Sequence, residues 1–287
     1  YELNLLKSFL TYHEIPIMNH LIEPQQLKDQ LYSPDLVIVD LGNPSLYQQQ
    51  HVPGAVHLSG QHLISGVAPV PGACPEISTL CAVMAYLGID NSKKVVLYDD
   101  EGGGWAGRMA WSMDLLGLNN WQYLNGGIVP WIKDGFPDES TVNQPNSIEV
   151  NSVVEPCSMT RILADEIINS LENSDFAIWD ARSPGEYSGD IIRSSRGGHI
   201  PGAINLEWTQ LMDRDNNLRI RKDAQQILDD LGLSKDKHIA THCQSHHRSS
   251  FTYMVGKILG YKNIRGYDGS WGEWGNLEHT PIELGPY

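Results

Sequence analysis

Cys243 is the residue around which chemistry is easiest to build. It ends the run Lys237-His238-Ile239-Ala240-Thr241-His242 and opens Cys243-Gln244-Ser245-His246-His247-Arg248. Phe251 to Leu259 then has helical spacing and stops at Gly260. A thiol at a strand-to-helix turn faces the free N–H groups and partial positive charge of the following helix, which favour thiolate over thiol. Arg248 adds a full charge to the same short loop, where it would orient the loop or a donor. This is the layout of a nucleophilic sulfur above an anion cradle.

Other residues offer to assist it. Arg182 follows Asp180 at the end of another predicted strand, where a guanidinium could grip sulfonate or carboxylate oxygens in bidentate fashion. Its competing role is a structural pair with Asp180 or Glu186. His242 ends its strand in an alternation that suggests burial, and His246 and His247 stand close enough to tune the local potential or move protons. A metal held with Cys243 would need ligands converging from other elements, and no second cluster exists, so neither metal nor cofactor is expected. Cys81, within Thr79-Leu80-Cys81-Ala82-Val83-Met84, reads as a core thiol. No cysteine pair has C-x-x-C spacing, and free thiols suit a reducing compartment.

The elements that must position these residues occur twice. Val37-Ile38-Val39-Asp40 leads to His51-Val52-Pro53-Gly54-Ala55, and Ala177-Ile178-Trp179-Asp180 leads to His199-Ile200-Pro201-Gly202-Ala203. Lys94 to Asp99 answers His238 to Cys243, Leu116-Gly117 answers Leu259-Gly260, and Trp131 answers Trp274. Landmarks in one order at a near-constant offset indicate a duplicated domain. In each copy, short β-rich runs (Leu36–Val39, Ala55–Leu58 and their counterparts Phe176–Trp179, Ala203–Leu206) alternate with helical spacing (Ile77–Leu87; Ala224–Leu231). Alternating strands and helices give parallel sheets covered on both faces, with ligands at the strands' carboxyl ends. Asp99 stands where Cys243 stands and Gly42 where Arg182 stands, so the first copy reads as catalytically dead. The expected division is a first domain over 1–140, a polar linker over 141–156 and a catalytic domain over 157–287. His51 and His199 occur in both copies, active and dead, and are expected to brace their loops.

The chain has 287 residues, 41% apolar and 19% charged, with a formal net charge of −15. That composition fits a soluble globular protein, and the acidic balance argues against nucleic acid or an anionic membrane as partner. No apolar stretch is long enough to span a bilayer. A cytoplasmic monomer is expected. A periplasmic setting stays open, because the chain begins at Tyr1 instead of Met.

Taken together, Asp180-Ala181-Arg182 with Glu186-Tyr187, Gly198-His199-Ile200-Pro201-Gly202-Ala203, the Cys243–Arg248 loop and Asp268-Gly269-Ser270-Trp271-Gly272-Glu273-Trp274 resemble the tandem-domain rhodanese family. The family comprises the thiosulfate and mercaptopyruvate sulfurtransferases. The resemblance implies two α/β domains, each with a mostly parallel five-stranded sheet, and one catalytic cysteine in the second, facing the first. It implies sulfur transfer from a small anionic donor to a thiol or cyanide through a persulfide on Cys243. It also implies donor contacts from Arg182, Arg196, Gln244, Ser245, His246, His247 and Trp271. The insertion near Gly189–Gly197 has no counterpart in the first copy.

Thiosulfate-preferring members carry basic residues after the cysteine, and mercaptopyruvate-preferring ones carry small residues. Gln244-Ser245-His246-His247 matches neither, but two protonated histidines would mimic the basic loop. Thiosulfate is therefore the expected donor, with turnover rising as pH falls through about 6.5, and 3-mercaptopyruvate is the alternative. A cysteine phosphatase is a more remote reading, since such loops place five residues between Cys and Arg and this chain has four. A non-catalytic binding module would be marked by loss of Cys243.

Overall fold

The computed structural model describes residues 19–149 and 155–285. The first domain runs β1 (Leu21–Ile22), α1 (Pro24–Lys28), β2 (Leu36–Asp40), α2 (Pro44–Tyr47), β3 (Val56–His57), α3 (Ile77–Leu87), β4 (Lys94–Tyr98), α4 (Gly104–Leu115), β5 (Trp121–Leu124) and α5 (Ile128–Lys133). Its five strands are parallel, in the order β1-β5-β4-β2-β3. The central β4 is buried from Val95 to Tyr98, as expected of a near-continuous apolar run covered by helices on both faces.

The second domain repeats the plan with α6 (Ala164–Ile168), β6 (Phe176–Asp180), α7 (Pro184–Ser188), β7 (Ile204–Asn205), the hairpin strands β8 (Met212–Asp213) and β9 (Arg219–Ile220), α8 (Ala224–Asp230), β10 (His238–His242), α9 (Arg248–Ile258), β11 (Ile264–Gly266) and α10 (Ser270–Trp274). Among the described residues its parallel sheet has four strands, β11-β10-β6-β7, where five were expected. A single parallel bridge, Arg161 to Gly266, takes the place of the fifth. Arg161 flanks only one residue's worth of pairing, and its side chain is drawn into a bidentate ion pair with Asp268 (2.7 and 2.9 Å).

The two domains share one hydrophobic core. The cluster that includes Leu80, Met109 and Trp121 continues into Trp179, Phe251 and Ile264. Its spine is the crossing of α4 and α9. Alpha-4 is apolar or small on nearly every side and is buried almost throughout, the pattern of a helix with protein all round it. At the crossing, a Cβ on Gly107 would lie 2.5 Å from the Ser250 carbonyl oxygen, so only glycine lets the backbones come this close. Alongside, the Tyr253 hydroxyl of α9 donates to Asp114 of α4 (2.7 Å). No helix among the described residues is long and apolar enough to cross a membrane.

Candidate functional site

Beta-10 delivers Cys243 to its carboxyl end, and the chain curls through Gln244–His247 before α9 begins at Arg248. The curl requires His246 in the left-handed region (φ +53°). Cys243 is fully buried. Burial alone would push its thiol up, but the Arg248 guanidinium, the Ser249 hydroxyl and the N–H groups of Ser249 and Ser245 outweigh it. The thiol therefore sits below its ordinary value. Helix α9 starts three residues before its apolar spacing does, because Ser249 and Ser250 turn their hydroxyls into the loop. Ser249 Oγ lies 2.8 Å from His246 Nδ1, and Ser250 Oγ donates to the His246 carbonyl.

Arg248 is held by both oxygens of Glu186 (2.7 and 2.9 Å). Glu186 comes from α7, where Ser183, Pro184 and Glu186 form a capping box with proline in the first turn. Despite burial, the Arg248 pair and Ser183 hold the Glu186 carboxyl down at about 2. In the sequence Glu186 stands within the motif that carries the resemblance and as an alternative partner for Arg182, with no link to Arg248. The S-x-x-E spacing was the available signal that it is a placed carboxylate.

The structure corrects several expected roles. Arg182 is fully buried, and its Nε and Nη2 bind Asp180 (2.6–3.0 Å) and the Gly198 carbonyl (2.8 Å). It lies 4.3 Å over the Trp271 ring. Its alternative, structural role fits, because a guanidinium committed to a buried carboxylate is not presented to a donor. Trp271 is likewise packed in the core, its indole N–H donating to the Arg196 carbonyl (3.0 Å), instead of lining a pocket. Arg196 spends its guanidinium on the carbonyls of Trp274, Leu277 and Thr280, latching down the C-terminal segment. Gln244 reaches Ser194 Oγ (3.1 Å) and so ties the loop to the insertion.

The histidines also divide. His246 is fully buried, edge-on to Trp111 at 4.9 Å, and burial beside the Arg108 and Arg161 guanidiniums lowers its pKa well below 6.5. It stays neutral, so it cannot supply the charge of a basic loop. Its Nε2 is buried with no hydrogen-bond partner among the described residues. The tautomer that costs least places the proton on Nδ1, donating to Ser249 Oγ. The Ser249 hydroxyl is then free to donate to the sulfur, a neutral chain of donors aimed at Cys243. His247 is raised despite burial by its 2.5 Å contact with Glu101 of the first domain. That pair carries no net charge when His247 is protonated. His242 is buried, and burial lowers it to about 4. His51 and His199 brace their turns as expected, stacked on Tyr47 and Tyr187 and bonded to those residues' carbonyls.

Ser245, His246 and His247 face a cleft of about 270 Å³, closed from the other side by Gln61, Ile64, Pro71, Gly72 and Trp105 of the first domain. A Cβ on Gly72 would lie 2.1 Å from the Ser245 carbonyl oxygen, so this wall sits directly on the loop. The larger cleft, about 380 Å³, lies over the corresponding loop of the first domain and shares Gln61 and Trp105 with the other.

That first-domain loop shows what its fold binds. At the position of Cys243, Asp99 is fully buried with its carboxylate in the curl. Oδ1 accepts from the N–H groups of Glu101, Gly102 and Gly103 (3.2, 3.1 and 2.7 Å), and Oδ2 accepts from Ala106 (3.0 Å). The loop is thus an anion cradle in both copies, filled by its own carboxylate in one and by a sulfur in the other.

The Rhodanese-like domain family matches residues 23–134 and 163–277. The chain is 43% identical to a thiosulfate sulfurtransferase of Azotobacter vinelandii, covering 92% of this chain and 96% of the relative. It is 42% identical to one of Pseudomonas aeruginosa, covering 95% and 99%. A sulfur carrier protein, TtuD, of Thermus thermophilus is 31% identical over 92% of this chain and 96% of its own. Among solved structures, YnjE superposes with a TM-score of 0.84 at 23% identity, covering 95% of this chain and 70% of that one, a likeness of fold.

Proposed function

The chain belongs to the rhodanese family, with two rhodanese-like domains in tandem, and from that premise we propose that it is a thiosulfate sulfurtransferase working through a persulfide on Cys243. The observation that carries the proposal is the pair of cradles: one holds a carboxylate by four N–H groups, and the other holds a thiol depressed below its ordinary value.

In the first half-reaction the Cys243 thiolate attacks the outer sulfur of thiosulfate. A sulfur–sulfur bond forms to Cys243, and the donor's own sulfur–sulfur bond breaks with its electron pair leaving on sulfite. In the second, a thiolate or cyanide attacks the outer sulfur, and the bonding pair returns to Cys243 as thiolate. Both half-reactions keep negative charge on Cys243 or its persulfide. The loop N–H groups, the Ser249 hydroxyl and the Arg248 guanidinium are already aimed at that charge, so nothing reorganises as it shifts. Glu186 fixes Arg248 in place.

With His246 neutral and His247 paired to Glu101, the histidines do not make a basic loop. Thiosulfate turnover should therefore track the Cys243 thiolate and not rise as pH falls through about 6.5. A reducing, cytoplasmic setting suits a cycle that returns to a free thiolate. Steady-state kinetics with cyanide as acceptor test the donor. We expect kcat/KM for thiosulfate to exceed that for 3-mercaptopyruvate by about tenfold or more, and the reverse order would overturn the assignment.

A further inference from the structure

Around the Cys243 loop the charged side chains come in pairs. Arg248 is bound to Glu186, which also takes the exposed Arg193. Arg182 is bound to Asp180, Arg161 to Asp268 and His247 to Glu101. His242 and His246 are held neutral by burial, and burial pushes the Cys74 thiol up to about 11. Arg108 is different. It comes from α4 of the inactive domain, is fully buried, and has no carboxylate partner among the described residues. Its Nε and Nη2 donate to the Leu63 carbonyl (3.2 and 3.0 Å), and its Nη1 donates to the His246 carbonyl (3.4 Å). Its guanidinium lies 4.7 Å from the centre of the Trp111 ring, which also meets His246 edge-on.

A buried cation without a counter-ion is costly, and such groups persist where a nearby negative charge uses them. Leu63 is buried in the core directly before Ile64, which with Pro71 and Gly72 walls the catalytic loop. His246 is the left-handed residue on which the curl depends, and its ring orients the Ser249 hydroxyl. The repeat sharpens the point. At the 144-residue offset that relates Asp99 to Cys243, the counterpart of Arg108 is Thr252, so the cation is not a feature of the duplicated fold.

We propose that Arg108 is a positioning residue for sulfur transfer, through which the inactive domain fixes the His246 turn of the catalytic loop and adds to the positive charge around Cys243. This rests on the reading of Cys243 as the sulfur carrier. Cys243 also lies within electrostatic reach of Arg108, together with Asp268 and Cys74.

The test compares wild type, Arg108→Met and Arg108→Lys by two readouts: the pH midpoint of Cys243 alkylation by iodoacetamide, and kcat and KM with thiosulfate and cyanide. In Arg108→Met the midpoint should rise by about one pH unit. Its kcat should fall roughly tenfold while KM for thiosulfate stays within about twofold. Arg108→Lys keeps the charge but cannot span both carbonyls, so it should keep the wild-type midpoint and lose kcat several-fold. A folded Arg108→Met with a wild-type midpoint overturns the proposal. If Arg108→Met does not fold, Arg108→Lys decides: a shifted midpoint or a wild-type kcat overturns it. A wild-type protein that takes no sulfur from thiosulfate would count against the assigned reaction, while the alkylation midpoints would still decide the role of Arg108.

Discussion

For single residues, what matters is which charges around Cys243 are free and which are spent. Cys243, Arg248 and the dead position Asp99 could be read from the sequence because strand–loop–helix patterning and the internal repeat single them out. The corrected roles of Arg182, Arg196 and Trp271 could not, since whether a guanidinium meets a donor or a buried carbonyl is decided by segments far away in sequence. Gly198, Thr280 and Leu277 are examples. Arg248→Met should leave the buried Glu186 with the exposed Arg193 as its remaining ion-pair partner among the described residues, and the thiol without the Arg248 charge that helps hold it down. Thiosulfate kcat/KM should fall on the order of 10²-fold, and a fall of less than about threefold would show that the loop N–H groups suffice.

His246 gives a second test, on stability. Its folded-state pKa is depressed, so below about 6.5 the unfolded chain takes up a proton that the folded one does not, and stability is lost as pH falls. In His246→Asn that loss is absent. Wild type should therefore lose stability relative to the variant by about 1.4 kcal/mol per pH unit between pH 6 and 5, measured by urea unfolding. A pH-independent difference would mean that His246 protonates in place.

Among the secondary-structure elements, periodicity placed the long pieces well. Helix α3 spans the expected Ile77–Leu87, and β2, β4, β6 and β10 fall where the β-rich runs lie. What it missed includes the short helices α1, α2, α6 and α7 and the two-residue strands β1, β8 and β9, too short to carry any period, and the first turn of α9, where Ser249 and Ser250 serve the loop instead of the core. The crossing of α4 and α9 also left no clear sequence signal beyond the small and apolar make-up of α4. It depends on Gly107, and adding a side chain there must push the two backbones apart. Gly107→Val should cost about 3 kcal/mol or more, beyond the usual range for overpacking, because the obstacle is backbone. The variant should also lower sulfurtransferase activity through the displaced loop. A melting temperature within about 2 °C of wild type would contradict this packing.

Across the whole molecule, duplication has produced two cradles with different occupants. One is occupied by Asp99 and is structural. The other holds Cys243 and is walled by the first domain through Trp105, Gly72 and Glu101. A shared core makes the pair one folding unit, in which the copy bearing Asp99 walls the copy bearing Cys243. The duplication was legible in the sequence, but not that the first copy walls the Cys243 loop, because contacts between copies have no period to read. All of this chemistry requires that Cys243 carry sulfur from thiosulfate. Incubating the reduced protein with thiosulfate and weighing it intact should reveal one adduct of about 32 Da, absent from Cys243→Ala and removed by cyanide. An unchanged mass in wild type, or the same adduct on Cys243→Ala, would rule out Cys243 as the sulfur carrier.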